Sequence, residues 1–257
     1  MQSDARKKQQ ERCFLDRVLS AAAIKPLSIV PAEPPDPDFI LELDGRIVGV
    51  EMTSIYIPAI GNEPPLKAQE ELTDRIVATA REQYQLRGSP PVDVQVLFHL
   101  GIDIRTVNRN KVAHALSALV ATIPSDHPGR AHWENDYENT TLDCIARVTA
   151  LRTTDWTMAH WHVARSGWRA DFPSDLLRQS IATKNKKLCR YRQTLKEVWL
   201  VIALEGNRPS QFFDIDSPPE TSDLSSHFDR TFLYCSVPER LYSLERLPQP
   251  GLKPMQG

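Results

Sequence analysis

Apolar positions recur at helical spacing over residues 8–24, where Phe14, Leu15, Val18, Leu19 and Ala22 share one face with Glu11. The proline-rich stretch from Lys25 to Pro37 breaks that period and reads as an extended loop. Two β-rich runs follow, DFILEL and RIVGVEMT, joined by Asp44-Gly45, the strongest short signal for a hairpin. Residues 57–66 read as a loop, and 67–87 as a helix with Leu72, Ile76 and Ala80 on one side. The run VDVQVLFHLGI at 92–102 predicts a strand, and 108–122 returns to helical spacing through Val112, Leu116, Leu119 and Val120. Residues 124–142 are polar and irregular. Further strands are predicted at 144–152, 158–164, 197–204 and 230–237, with a long helix over 174–195 and a polar loop at 207–227. Alternating strands and helices predict the α/β class, as a three-layer α/β/α sandwich around a central mixed β-sheet.

The hairpin can be worked out in register. A two-residue turn sets Leu43 opposite Arg46, so opposed residues have numbers summing to 89. Asp38 and Glu51 meet that sum, which puts them on one face with Cβ atoms about 4.5–5.5 Å apart. Thr53 projects to the same face, and Gly49 leaves room beside Glu51. Two like charges so placed repel each other, and a divalent cation between them reverses the sign of that term. The ordinary alternative is a pair of solvated acids at a sheet edge. Against it, the hairpin is apolar on both faces, with Phe39, Leu41 and Leu43 on one and Ile40 and Ile47 on the other. Such a strand pair is expected to be covered on both sides, where acids need partners.

A second feature is the run RQSIATKNKKLCRYRQTLK at 178–196, with seven Lys or Arg and no acid. Ser180, Lys184, Lys187 and Tyr191 fall on one helical face, with Lys186, Arg190 and Arg178 around it. A charge run is commonly a solvated face. Here it is one-signed in a chain of 257 residues whose net charge is −2, which favours contact with a polyanion.

Composition narrows the class. Hydrophobic residues make up 41% and charged residues 25%, an ordinary globular balance. No run of eighteen apolar residues occurs, and the polar N-terminus lacks the apolar stretch of a signal peptide. The four cysteines, Cys13, Cys144, Cys189 and Cys235, are scattered without CxxC spacing, so a reduced, cytoplasmic protein without a zinc knuckle is expected. No phosphate-binding loop or GxGxxG is present, which disfavours an NTPase or a nicotinamide enzyme. His160 and His162 could ligate a metal and Trp156, Trp161 and Trp168 could stack on bases, but structural roles are the better reading of these and of His99.

Pro37-Asp38, the hairpin, and Glu51-Met52-Thr53 resemble the PD-(D/E)xK nuclease superfamily, the restriction-endonuclease-like fold. Archaeal Holliday junction resolvases and many restriction enzymes share this plan. The resemblance covers residues 8–56, with a second block at 177–204. It implies Mg²⁺ or Mn²⁺ held by Asp38 and Glu51, and hydrolysis of phosphodiester bonds of nucleic acid, with DNA the first expectation and RNA left open. Glu11 matches the assisting glutamate that the first helix often carries. One departure is clear: the family's lysine, two residues after the glutamate, is here Thr53. Either the protein is inactive and only binds nucleic acid or a protein partner, or the lysine comes from elsewhere. Nuclease families with E-x-T also carry K-x-x-K-x-x-x-Y before a buried strand, which makes Lys184 or Lys187 the replacement. Lys186, Arg190, Tyr191 and Arg178 would hold the nucleic acid. Many members act as homodimers. On this plan residues 1–246 form one domain, with core blocks 8–56 and 174–237 and an inserted or elaborated region 57–170, followed by a loose tail at 247–257.

Overall fold

The computed structural model describes residues 2–59, 64–99, 101–122, 129–134, 141–152, 158–165, 169–215, 224 and 226–244. Trp156, Trp168 and the tail at 247–257 lie outside the described residues. In chain order the first elements are α1 (Gln2–Ala21), β1 (Ser28–Pro31), β2 (Phe39–Leu43), β3 (Arg46–Thr53), α2 (Leu66–Leu86), β4 (Asp93–Phe98) and α3 (Arg109–Ala121). They are followed by β5 (Gly129–Glu134), β6 (Ile145–Arg152), β7 (His160–Val163), α4 (Ser174–Tyr191), β8 (Glu197–Leu204), β9 (Arg230–Ser236) and β10 (Glu239–Leu244). The protein is of the α/β class. The chain divides into two compact units, one of residues 1–56, 168–207 and 211–257, the other of 57–167 and 208–210.

The first unit carries a six-stranded mixed sheet in the order β1-β2-β3-β8-β9-β10. Asp44 and Gly45 both take positive φ, 44° and 77°, as the tight turn between β2 and β3 requires. The pairing then runs from Leu43 opposite Arg46 to Phe39 opposite Val50, the register the turn dictates. Leu15, Val18 and Leu19 of α1 pack with Phe39, Leu41, Val48, Val50, Trp199 and Val201 on one face of this sheet. Alternation sends Gly49, Glu51 and Thr53 to the opposite face. β8 is buried from Val198 to Leu204, as a central strand covered on both sides must be. The buried stripe of α4 is Leu177, Ile181, Leu188 and Tyr191.

Two strands of this sheet differ from expectation. β1 lies inside the stretch expected to be a loop, pairing antiparallel with β2 from Ser28 opposite Glu42 to Pro31 opposite Phe39. An edge strand needs ladder partners on one side only, so proline at its end is tolerated. β10 returns antiparallel along β9 beyond the expected end of the last strand. The helix α4 also stops at Tyr191, short of the expected 195.

The second unit has its own four-stranded sheet, in the order β5-β6-β4-β7. Ile76, Val77, Ala80 and Tyr84 of α2 and Val112, Ala113, Leu116 and Val120 of α3 pack on Val94, Val96, Val148 and Ala150. The described residues therefore carry two mixed sheets where one central sheet was expected. Residues 57–167 bury enough apolar surface for a separate core, and β5 forms within the polar stretch 124–142 by pairing with β6.

Gly49 lies where the hairpin, Pro37 and the chain after α4 meet. A Cβ there would stand 2.6 Å from Leu195 Cδ1 and 2.8 Å from Pro37 Cγ, and the proline ring cannot turn aside. Gly49→Ala is expected to lower stability by about 1–3 kcal/mol in urea unfolding, the usual cost of overpacking. An unchanged midpoint would show that Leu195 yields freely.

Candidate active site

Glu51 is the centre of the site. It is 2% exposed, in the interior strand β3 between β2 and β8. An uncompensated carboxylate at such a place would cost several kcal/mol. Three donors from α4 compensate it. Lys184 Nζ donates to Glu51 Oε1 at 2.7 Å, Lys187 Nζ donates to the same oxygen at 2.8 Å, and the Tyr191 hydroxyl donates to Oε2 at 2.7 Å. The helical spacing of 184, 187 and 191 puts all three side chains on one face, and that face is the one turned to β3. Lys184 also donates to the Met52 carbonyl at 3.1 Å.

Asp38 stands one residue beyond the last paired position of the hairpin. Its Oδ2 accepts a hydrogen bond from the Met52 backbone N–H at 2.8 Å, which fixes the carboxylate beside the strand that carries Glu51. Its Oδ1 lies 3.5 Å from Lys8 Nζ, and Lys8 also sits 5.1 Å over the Phe39 ring. Glu11 completes the acidic side, with Lys7 3.6 Å away on the preceding turn of α1.

The ionisation equilibria reflect this clustering. Burial pushes the Glu51 carboxyl up, but the hydrogen bonds from Lys184 and Lys187, the Lys184 charge and the Tyr191 hydroxyl outweigh it, so the net direction is down. Glu11 moves up, through burial first and then the charge of Asp38, only partly offset by Lys7 and Lys8. Lys187 is raised by its hydrogen bond to Glu51, with further help from the charges of Glu51 and Asp38. Tyr191 is raised by burial and by the two acids, so its hydroxyl stays a proton donor. Asp38 thus acts electrically on Glu11, Lys187 and Tyr191 alike.

The structure brings together Glu11, Asp38, Glu51, Lys184, Lys187 and Tyr191 from α1, the hairpin and α4. Tyr191, expected on the nucleic-acid face, is buried at 3% exposure with its hydroxyl on Glu51. Lys186 and Arg190 are exposed on α4, and Arg178 pairs with Asp175 at 2.5 Å in the first turns of the helix. Lys8 and the Met52 backbone were not anticipated. The only available signal was the i, i+3 placement of Lys8 and Glu11 on one helix. Elsewhere, His162 is half-exposed and 3.6 Å from Asp93, and Trp161 is buried against Tyr84 with ring centroids 5.3 Å apart. The four cysteines are free thiols, Cys13 and Cys189 exposed and Cys144 and Cys235 buried. No helix among the described residues is long and apolar enough to cross a membrane.

The donor chemistry suits a hard divalent cation. Carboxylate oxygens are what Mg²⁺ and Mn²⁺ prefer, and Mg²⁺ is commonly held by one or two carboxylates with water and substrate phosphate. Asp38 is the one negative neighbour among the described residues that acts on Glu11, after burial and against Lys7 and Lys8. Among the described residues no group of three or more His, Cys, Asp or Glu is set to hold a metal ion. Asp38 and Glu51 are the pair expected from the sequence to hold such a cation. In comparisons with family models, curated proteins and solved structures, none matches the chain.

The pH dependence of stability follows from Glu51. Its folded-state pKa lies below the ordinary 4.5, so the stability it contributes is present above that value and lost as pH falls through the depressed one. Glu11 has the opposite sign: its folded pKa is raised, so its contribution is present in acid and lost as pH rises through the raised value. Glu51→Gln is expected to lower stability at pH 7 by on the order of 2–3 kcal/mol. In urea unfolding from pH 7 to 3 the gap to the unaltered protein narrows. A gap that stays constant over that range would assign the loss to packing instead of charge.

Proposed function

We propose that the protein is a metal-dependent nuclease of restriction-endonuclease-like type, hydrolysing phosphodiester bonds of nucleic acid, with DNA the first substrate to test. The observation that carries this reading is the convergence of Lys184 and Lys187 on Glu51, from 133 and 136 positions away in the chain. A lysine beside the second carboxylate is what Thr53 fails to supply, and α4 supplies it.

Asp38 and Glu51 would hold Mg²⁺ or Mn²⁺, which when bound lowers the pKa of a water and draws charge from phosphate oxygens. The residues of the chain do the rest. Lys184, fixed on Glu51 and the Met52 carbonyl, holds the Glu51 carboxylate in place and offers a positive charge where charge builds on the phosphate. The Met52 N–H orients Asp38. Tyr191 keeps Glu51 Oε2 engaged and directs its remaining lone pair. Glu11, whose carboxyl is raised by burial and by the Asp38 charge, assists from α1. Lys186, Arg190 and Arg178 are suited to phosphate contacts along the strand.

A second reading rests on one observation. Both oxygens of Glu51 are already satisfied by Lys184, Lys187 and Tyr191, which is also how a purely structural buried acid is arranged. Such a protein would bind nucleic acid or a protein partner without cutting.

The two readings separate in one assay. Single-stranded, duplex and branched DNA and RNA are incubated with the protein and Mg²⁺ or Mn²⁺. The nuclease reading expects cleavage that falls about 10²-fold or more in Asp38→Ala and Glu51→Ala. Cleavage that survives both substitutions rejects the site. Binding without cleavage, lost when Lys184 and Lys187 are both replaced, supports the second reading.

A further inference from the structure

Lys184 and Lys187 reach the same oxygen of Glu51, yet they are held very differently. Lys184 is 18% exposed in its side chain and makes two hydrogen bonds, to Glu51 Oε1 and to the Met52 carbonyl. Lys187 is 52% exposed, and the contact that places its ammonium here is Glu51 Oε1 at 2.8 Å. Two ammonium groups on one oxygen repel each other, so the less anchored one gives way first. Lys187 also feels the charge of Asp38, the other carboxylate of the site. Its ammonium therefore stands between the two acids in the electrical sense, as a cation on a flexible tether.

We propose that Lys187 is a displaceable internal counter-ion: it neutralises Glu51 until a divalent cation takes its place, and then swings out to solvent or to a phosphate of the substrate, while Lys184 stays on Glu51 as the positioning residue. This rests on the metal-dependent reading of the site. It divides the two lysines, which helical spacing alone leaves equivalent. The exchange is favourable in charge terms, because a divalent ion between Asp38 and Glu51 replaces a monovalent group on Glu51 alone, and the freed lysine regains full hydration. Together with Lys184, Lys187 also balances the charges of Asp38 and Glu51 before a cation binds, which favours the packing of α4 on β3. The tether is long enough for this role because a lysine stem has four rotatable methylene bonds and keeps its charge wherever it moves.

The test is Mn²⁺ binding followed by isothermal titration calorimetry on the intact chain without nucleic acid, so that activity plays no part. Lys187→Met is expected to bind Mn²⁺ about twofold to fivefold more tightly than the unaltered protein, the range a half-exposed ion pair supports. Lys187→Gln should show the same gain and provides a second variant of different polarity. Lys187→Arg, which keeps the tethered charge, should show no gain. Lys184→Met should bind no more tightly than the unaltered protein, because Glu51 then loses its anchor. Glu51→Gln should abolish binding. If Glu51→Gln abolishes binding but Lys187→Met titrates like the unaltered protein, or Lys184→Met gains as much, the counter-ion role is overturned while the metal site stands. If Glu51→Gln binds like the unaltered protein, or no variant binds Mn²⁺ at all, the metal site fails and this inference with it.

Discussion

A single buried negative charge organises the first unit. Glu51 lies in the interior of a six-stranded sheet, where a carboxylate without partners would oppose folding. Its partners all come from α4, so the helix must dock with one face toward β3 for the charge to be tolerated. That docking in turn buries the Leu177, Ile181 and Leu188 stripe. The hydrophobic term supplies most of the free energy of this packing, and the ion cluster supplies its register along and around the helix. Replacing Glu51 together with Lys184 and Lys187 by well-packed apolar residues need not destabilise the sheet, since whole buried ion clusters are often matched by good packing. The cluster is thus better understood as setting the register of the helix than as the main source of stability.

The local backbone makes the two acids a unit. The tight turn at Asp44 and Gly45 sets the pairing of β2 with β3, and the Met52 N–H then captures the Asp38 carboxylate at the strand that carries Glu51. Gly49 permits the close approach of Pro37 and Leu195 that holds this corner together. Charge is balanced across the site by Lys8 on the α1 side and by Lys184 and Lys187 on the α4 side. The site is thus built from three segments far apart in the chain, each contributing acids or bases to the same small region. That is an arrangement suited to a reaction in which charge moves, and it is the physical basis for reading it as catalytic.

Much of this was legible from residue order, for reasons that differ by element. The hairpin could be read because Asp-Gly selects one turn and the turn determines every pair after it. The face of α4 could be read because 184, 187 and 191 recur at helical spacing. The place of Tyr191 could not be read: it looked like a nucleic-acid contact and is instead buried on Glu51. The edge strand β1 was hidden by prolines that an edge position tolerates, and β10 by the Val237-Pro238 turn, which lacks the usual glycine or asparagine. Three strands of the second sheet were expected, but local pattern does not say which strands pair, so they were assigned to one central sheet; β5, polar and paired with β6, was missed as a strand. Lys8 was missed because its partner Asp38 is thirty positions away.

The central claim is that Asp38 and Glu51 form one divalent-cation site with Lys184 at its side. The most direct measurement is the anomalous X-ray difference map of crystals grown or soaked with Mn²⁺. The account requires a peak within about 2–2.5 Å of oxygens from both Asp38 and Glu51, with Lys184 still on Glu51 and the Lys187 ammonium withdrawn from it. A map with Mn²⁺ elsewhere or nowhere, and both lysines still seated on Glu51, would contradict it.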